Sequence, residues 1–112
     1  MEQKAMTLRE VCQTCHVSRR AMQGYEKHGL IRATGRSERG YLLYDAAAQQ
    51  RIRQIKRYQE FGFQVKEIQQ LLRMPPSVLK EILFAKRQKL LESRQRLEET
   101  IQNITELINT IE

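Results

Sequence analysis

The sequence predicts a mainly α-helical protein, with short elements over residues 1–74 and one long helix within residues 75–112. Three observations carry that expectation. Helix start and stop residues recur at short intervals as far as Met74-Pro75-Pro76-Ser77, and no breaker follows. An apolar residue returns every seven positions at Leu83, Leu90, Leu97, Ile104 and Ile111. The charge is divided: fourteen Lys/Arg stand against seven Asp/Glu in residues 1–74 and six against six in the remainder, so the whole +7 belongs to the first segment.

The first helix is announced by Thr7-Leu8-Arg9-Glu10, a capping box in which Thr7 accepts from the amide three residues on and Glu10 reaches back. Leu8, Val11, Cys12 and Cys15 share one face, which places this helix over Leu8 to Cys15. His16-Val17 is a tight connection. Ser18 caps a second helix with Ala21, Met22 and Tyr25 on its inner side, and Gly29 stops it in the left-handed conformation. Two helices joined so closely form a helix-turn-helix. Leu30-Ile31 and Tyr41-Leu42-Leu43-Tyr44 are expected as two short strands enclosing the basic tip Arg32, Arg36, Arg39 and Gly40, which makes a wing. Asp45 caps a third helix with the apolar stripe Ala48, Ile52, Ile55 and Tyr58, ended by Gly62. A fourth helix carries Val65, Ile68, Leu71 and Leu72 on one side.

Pro75 and Pro76 stop that helix and Ser77 is positioned to cap the next. Residues 78–112 then run as one helix of about 52 Å. Arg87, Arg94, Ile101 and Ile108 fill the positions between the heptad residues, so the apolar seam is complete only in its second half. A lone helix of this length has no way to bury such a seam, and self-association is expected through Leu83, Leu90, Leu97, Ile101, Ile104, Ile108 and Ile111.

A basic module joined to a neutral helix points to a polyanion partner for the first part and a protein partner for the second. The longest apolar runs, Tyr41 to Tyr44 and Ile82 to Ala85, are far too short to span a bilayer, and the N-terminus has no apolar signal core. A cytoplasmic protein is the expectation. Cys12-Gln13-Thr14-Cys15-His16 matches the attachment motif of c-type haem, but that chemistry belongs to exported proteins. The pair lies toward the end of its helix, where thiol pKa values are not lowered, and two Cys with one His are too few for a closed zinc site. No cofactor, no metal and no catalytic constellation is expected, and the thiols are expected free.

In their order and spacing, several stretches resemble the MerR family of transcription regulators. They are Met6-Thr7-Leu8-Arg9-Glu10-Val11, Val17-Ser18, Tyr25-Glu26-x-x-Gly29-Leu30-Ile31, Arg36-x-x-x-Gly40-Tyr41-x-x-Tyr44-Asp45 and Phe61-Gly62-Phe63-x-x-x-Glu67-Ile68-x-x-Leu71-Leu72. The resemblance implies a winged helix-turn-helix, an antiparallel coiled coil between two subunits, and a near-palindromic promoter site. Double-stranded DNA, a second copy of the chain and RNA polymerase are the partners it implies; no effector is legible. On this reading Ser18, Arg19 and Arg20 open the recognition helix, where one arginine meets guanine and the other phosphate, and Gln23 joins the same set. Arg36 and Arg39 hold phosphates from the wing, Gly40 supplies its positive φ, and Lys66 adds a phosphate contact. Tyr25 and Tyr41 either donate to phosphate or are half-buried rings.

Four positions depart from the family pattern. Gln23-Gly24 replaces Arg-Tyr, Leu42 follows the wing Gly-Tyr where Arg is common, His16 replaces a turn glycine, and Cys12 replaces a small residue. The first two remove phosphate contacts. They leave open a second class of function, a protein-interaction module that modulates a partner without touching DNA. Against it stands the concentration of Arg19, Arg20, Arg36 and Arg39 in the basic segment.

Overall fold

The computed structural model describes residues 4–111. In chain order it contains β1 (Met6–Thr7), α1 (Leu8–Thr14), α2 (Arg19–Lys27), β2 (Gly35–Arg36), β3 (Leu42–Tyr44), α3 (Ala46–Glu60), α4 (Val65–Leu71) and α5 (Pro76–Thr110). The chain divides into two compact units, one up to Arg73 and one from Met74 onward.

Helix starts in the first unit follow side-chain chemistry. Thr7 and Glu10 form the reciprocal capping box, Ser18 Oγ accepts from Ala21 N at 2.9 Å, and Asp45 accepts from Ala48 N at 2.9 Å. The two hydrogen bonds from Thr7 hold the Glu10 carboxyl below its usual range. Gln64 and Glu67 form a second capping box at the start of α4.

Helix stops follow one backbone device used three times. His16, Gly29 and Gly62 have φ of 57°, 70° and 96°, just beyond the ends of α1, α2 and α3. The next residue in each case folds its amide back into the helix: Val17 N to Cys12 O at 3.2 Å, Leu30 N to Tyr25 O at 2.9 Å and Phe63 N to Tyr58 O at 3.1 Å. Val17, Leu30 and Phe63 are all buried. Each helix therefore ends by driving an apolar residue into the core, which is built on Val11, Met22, Tyr25, Tyr44, Ile52, Ile55 and Ile68.

This device corrects one expectation. Leu30-Ile31 is not a strand; Leu30 is buried because it closes the α2 stop. The wing partner of β3 is instead β2, with Gly35 opposite Leu43 and Arg36 opposite Leu42. The tip is a tight turn in which Gly40 N donates to Ser37 O and Ser37 N to Tyr41 O, at 2.9 and 2.8 Å. Gly40 takes φ of 83°, the left-handed position this hairpin type requires. On its other edge β3 pairs antiparallel with β1, giving the order β1-β3-β2. Gln49 on α3, fully buried, donates from Nε2 to Lys4 O and Tyr44 O at 2.8 and 2.9 Å and so ties the chain start to the wing base.

The second unit is the single helix α5. Its cap is Pro75, with Pro76 in the first turn, rather than Ser77. Proline fits there because the first-turn amides have no intrahelical partner and its fixed φ is already helical. The helix expected to run through residue 112 ends at Thr110, and the seam residue Ile111 is its extended cap with φ −89° and ψ 126°; residue 112 itself lies outside the described residues. Leu97, Ile101 and Ile108 on this helix are each more than 60% exposed. No helix among the described residues is long and apolar enough to cross a membrane.

The left-handed stop at His16 carries a Cβ penalty that Gly29 and Gly62 avoid. His16→Gly is expected to raise stability by about 1 kcal/mol, seen as a higher urea midpoint at fixed protein concentration. A lower midpoint would show that the imidazole contributes more than its backbone costs.

Candidate nucleic-acid interface

The first turn of α2 presents Arg19 and Arg20 to solvent directly after the Ser18 cap, and Gln23 lies exposed one turn on. Beside that turn is a cleft of about 630 Å³ lined by Thr7, Leu8, Arg9, Arg19, Gly40, Tyr41 and Leu42. The fold thus brings the opening of α2, the opening of α1 and the wing to one place. Tyr41 is 61% exposed, and its hydroxyl is free to meet a ligand. Arg39 is exposed at the wing turn. Arg36 spends one of its five N–H donors on Gly40 O at 2.9 Å, which braces the tip from within. Lys66 is exposed in the first turn of α4 and does not line this cleft.

Arg9 is the cleft residue that sequence reasoning missed. It stands in the first turn of a helix recognised by its capping box, and only the fold sets it beside Arg19 and Tyr41. Its signal was an arginine on the polar side of that helix, which many solvated helices carry.

Tyr25 is corrected out of the DNA-contacting set. Its ring is 2% exposed and its hydroxyl donates to Gln59 Oε1 on α3, so the phenol is satisfied inside the unit. Burial raises its pKa and keeps it neutral. Tyr44, also buried, donates to Glu26 Oε1 at 2.7 Å and joins the wing to α2; burial first, then this bond to Glu26, raises its pKa too.

Side chains from α3 and α4 hold the ends of the helix-turn-helix. Lys56 Nζ donates to Cys15 O at 3.3 Å and to His16 O at the end of α1. Arg51 Nε donates to Leu30 O at 3.3 Å and Gln69 Nε2 to His28 O at 2.5 Å, both just past α2. The cation of Lys56 also meets the negative end of the α1 dipole.

The Cys-x-x-Cys-His stretch is used structurally. Cys15 is buried, Cys12 is half-buried, both thiols are free, and His16 makes the left-handed stop. Among the described residues no group of three or more His, Cys, Asp or Glu side chains is placed to hold a metal.

The sequence pattern of the MerR HTH family regulatory proteins matches residues 6–75, and that of the MerR DNA-binding segment matches residues 49–112. The chain belongs to the MerR family. The mercuric resistance operon regulatory protein of Bacillus cereus is 40% identical over 63 residues, covering 56% of this chain and 48% of that one. The HTH-type transcriptional activator mta of Bacillus subtilis is 30% identical over 90 residues, covering 74% of this chain and 35% of that one. The chain thus spans half or less of these curated relatives. Among solved structures, the N-terminal part of the Bacillus subtilis multidrug transporter activator superposes with a TM-score of 0.75 at 29% identity, over 92% of this chain and 97% of that one. HiNmlR, a MerR family regulator lacking the sensor domain and bound to promoter DNA, shares the fold with a TM-score of 0.70 at 14% identity, over 88% and 80% of the two chains. The MerR family is one of transcription regulators, not enzymes.

If Tyr25 is structural in this MerR-family unit, Tyr25→Phe removes the bond to the solvent-exposed Gln59 and is expected to lower stability by about 1 kcal/mol. Calorimetry measures the loss. A variant as stable as the parent would return the phenol to the candidate contact set.

Proposed function

We propose that this chain is a sequence-specific DNA-binding transcription regulator that acts as a homodimer on a pseudo-palindromic promoter site. The observation that carries the reading is the shared cleft of Arg9, Arg19, Gly40 and Tyr41, beside the exposed Arg20. A recognition helix meets base edges with its first turn, and two arginines there offer guanine and phosphate contacts. The wing residues Arg36, Arg39 and Tyr41, with Lys66, would hold phosphate oxygens and fix register without reading sequence. That a fold neighbour is solved bound to promoter DNA is in keeping with this reading.

The dimer reading rests on α5. Leu90, Leu97, Ile101, Ile104, Ile108 and Ile111 are all exposed, an apolar row too long for a helix left in water. An antiparallel partner suits it better than a parallel one. Parallel pairing would stack Arg87 on its own copy and Arg94 on its own copy inside the seam, with like charges apposed. Antiparallel pairing slides each arginine along the partner's apolar rows, where its stem packs and its head reaches water. A two-fold dimer places two recognition helices on successive major grooves, so the site is a pseudo-palindrome.

Arg19→Ala with Arg20→Ala is expected to weaken duplex binding by more than about tenfold at matched salt, while the sedimentation profile stays that of the parent. Unchanged binding would favour the protein-interaction reading. Leu97→Glu with Ile104→Glu is expected to give monomers in sedimentation velocity, since each buried carboxylate would face an apolar partner. Persistent dimers would remove α5 from the interface.

A further inference from the structure

Helix α3 carries a second basic surface that the DNA reading does not use. Its solvent side presents Gln50, Arg51, Gln54 and Arg57 at helical spacing, with Arg53 at the flank and Ala47 at the open end, and these six line one shallow depression of about 710 Å³. A neighbouring depression of about 620 Å³ shares Ala47 and Arg51 and adds Arg32 at its rim, with Leu30, Ile31 and Ala48 as an apolar floor. Glu26 and Asp45 line this second depression too and keep their negative charge, so the purely basic surface is the first depression. Glu26 accepts from Tyr44, Asp45 caps α3, and Glu60 pairs with Lys56. Among the described residues, Arg32, Arg51, Arg53 and Arg57 have no carboxylate within salt-bridge distance.

The position of this face separates it from the reading head. It adjoins Gly29 and Leu30, past the C-terminal end of α2, and the wing root at Thr34 and Asp45. Arg19 and Arg20 open the same helix nine residues earlier, about 13 Å away along its axis, and the wing tip lies at Glu38–Gly40. None of the residues lining the reading cleft lines either depression.

We propose that this face docks an acidic amphipathic helix of a partner protein and stays available while the first turn of α2 is on DNA. Four guanidiniums without a carboxylate partner select carboxylates, although Arg51 gives its Nε–H to Leu30 O and Arg57 lies over the Phe61 ring at 5.9 Å; the ridge from Ala47 to Arg57 runs about 15 Å, the length of three helical turns. The apolar lining, exposed Ala47 with the edges of the largely buried Leu30, Ile31 and Ala48, favours an amphipathic helix, which has an apolar side to set there, over phosphates flanking a duplex, which have none. Gln50 and Gln54 add neutral donors and acceptors between the charges.

The test uses the full chain and a fluorescein-labelled amphipathic peptide of Leu and Glu with the glutamates on one helical face. Fluorescence anisotropy near physiological salt is expected to show saturable binding, and a peptide of the same composition with scrambled order should bind at least about tenfold more weakly. Arg53→Glu with Arg57→Glu should cut the ordered peptide's affinity by a further order of magnitude; because it removes four units of positive charge, duplex affinity falls as well, but by clearly less than the peptide's at matched salt. Should the reversal unfold the unit, as circular dichroism would reveal, Arg53→Gln with Arg57→Gln takes its place with a smaller expected loss. Failure of the parent to bind, equal binding of the scrambled peptide, or unchanged affinity in the variants overturns the proposal. So does displacement of the peptide by duplex, or a loss of duplex binding in the variants as large as that of peptide binding, since either assigns α3 to nucleic acid. The peptide arm needs no DNA, so a chain that ignores duplex but binds the ordered peptide refutes only the DNA reading.

Discussion

The orientation of α2 depends on how its ends and those of α1 are closed. Each helix terminates in a left-handed residue that turns the chain inward and leaves nearby carbonyls without an intrahelical donor. Long side chains from α3 and α4 supply those donors: Lys56 to Cys15 and His16, Arg51 to Leu30, Gln69 to His28. Each such bond is worth about 1 kcal/mol net, and the lysine gains a further few tenths from the α1 dipole. More important than their sum is their placement. They act where the chain reverses, so a small rotation of α2 would break several at once. The Tyr25–Gln59 and Tyr44–Glu26 bonds add two more restraints, one to α3 and one to the wing. The result is that the first turn of α2 and the wing tip keep a fixed separation, as a docking surface for a rigid duplex requires.

Local chemistry made some of this legible in the sequence. Thr7, Ser18 and Asp45 announce helix starts because their oxygens satisfy amides within three residues, and Gly29 and Gly62 announce stops because the backbone sign is theirs. What escaped was decided by long-range partners. Leu30-Ile31 looks like a strand because two adjacent apolar residues follow a glycine, but a helix stop buries its second outer residue for the same reason a strand buries alternate ones. Tyr25 looks like a phosphate donor until Gln59, thirty-four positions away, accepts its hydrogen bond. Arg9 has no local mark at all; its importance comes from the cleft that α1, α2 and the wing make together. The heptad row of α5, by contrast, is a property of one helix and was visible in full.

The division of charge between the two units has a mechanical reading. A duplex attracts the head through a long-range field, and a rod carrying the same field would lie down on the phosphates instead of pairing with its copy. The rod is neutral, with six charges of each sign, so it responds to packing. Arg87 and Arg94 then weaken the seam where it begins and leave Leu97 through Ile111 as its apolar part. In the proposed dimer these two exceptions would set orientation more than the leucines, because apolar rows pair in either direction and repeated arginines do not.

Helix α3 shows how one element serves the rest. Ala48, Ile52, Ile55 and Tyr58 form its buried stripe, and Gln49 at the same depth ties β3 to the chain start. At the borders of that stripe Arg51, Lys56 and Gln59 reach the recognition unit as hydrogen-bonding arms. The remaining side, Ala47, Gln50, Gln54 and Arg57, is tied to the fold only where Arg57 lies over the Phe61 ring. A helix needs solubility there, and glutamates would supply it while pairing with the arginines one turn away. The sequence instead keeps that side free of acids until Glu60, although it places acids freely on α5. Concentrating unpaired positive charge on the outer side of the helix that anchors the reading head costs stability through repulsion. That cost would be offset when an anionic partner arrives.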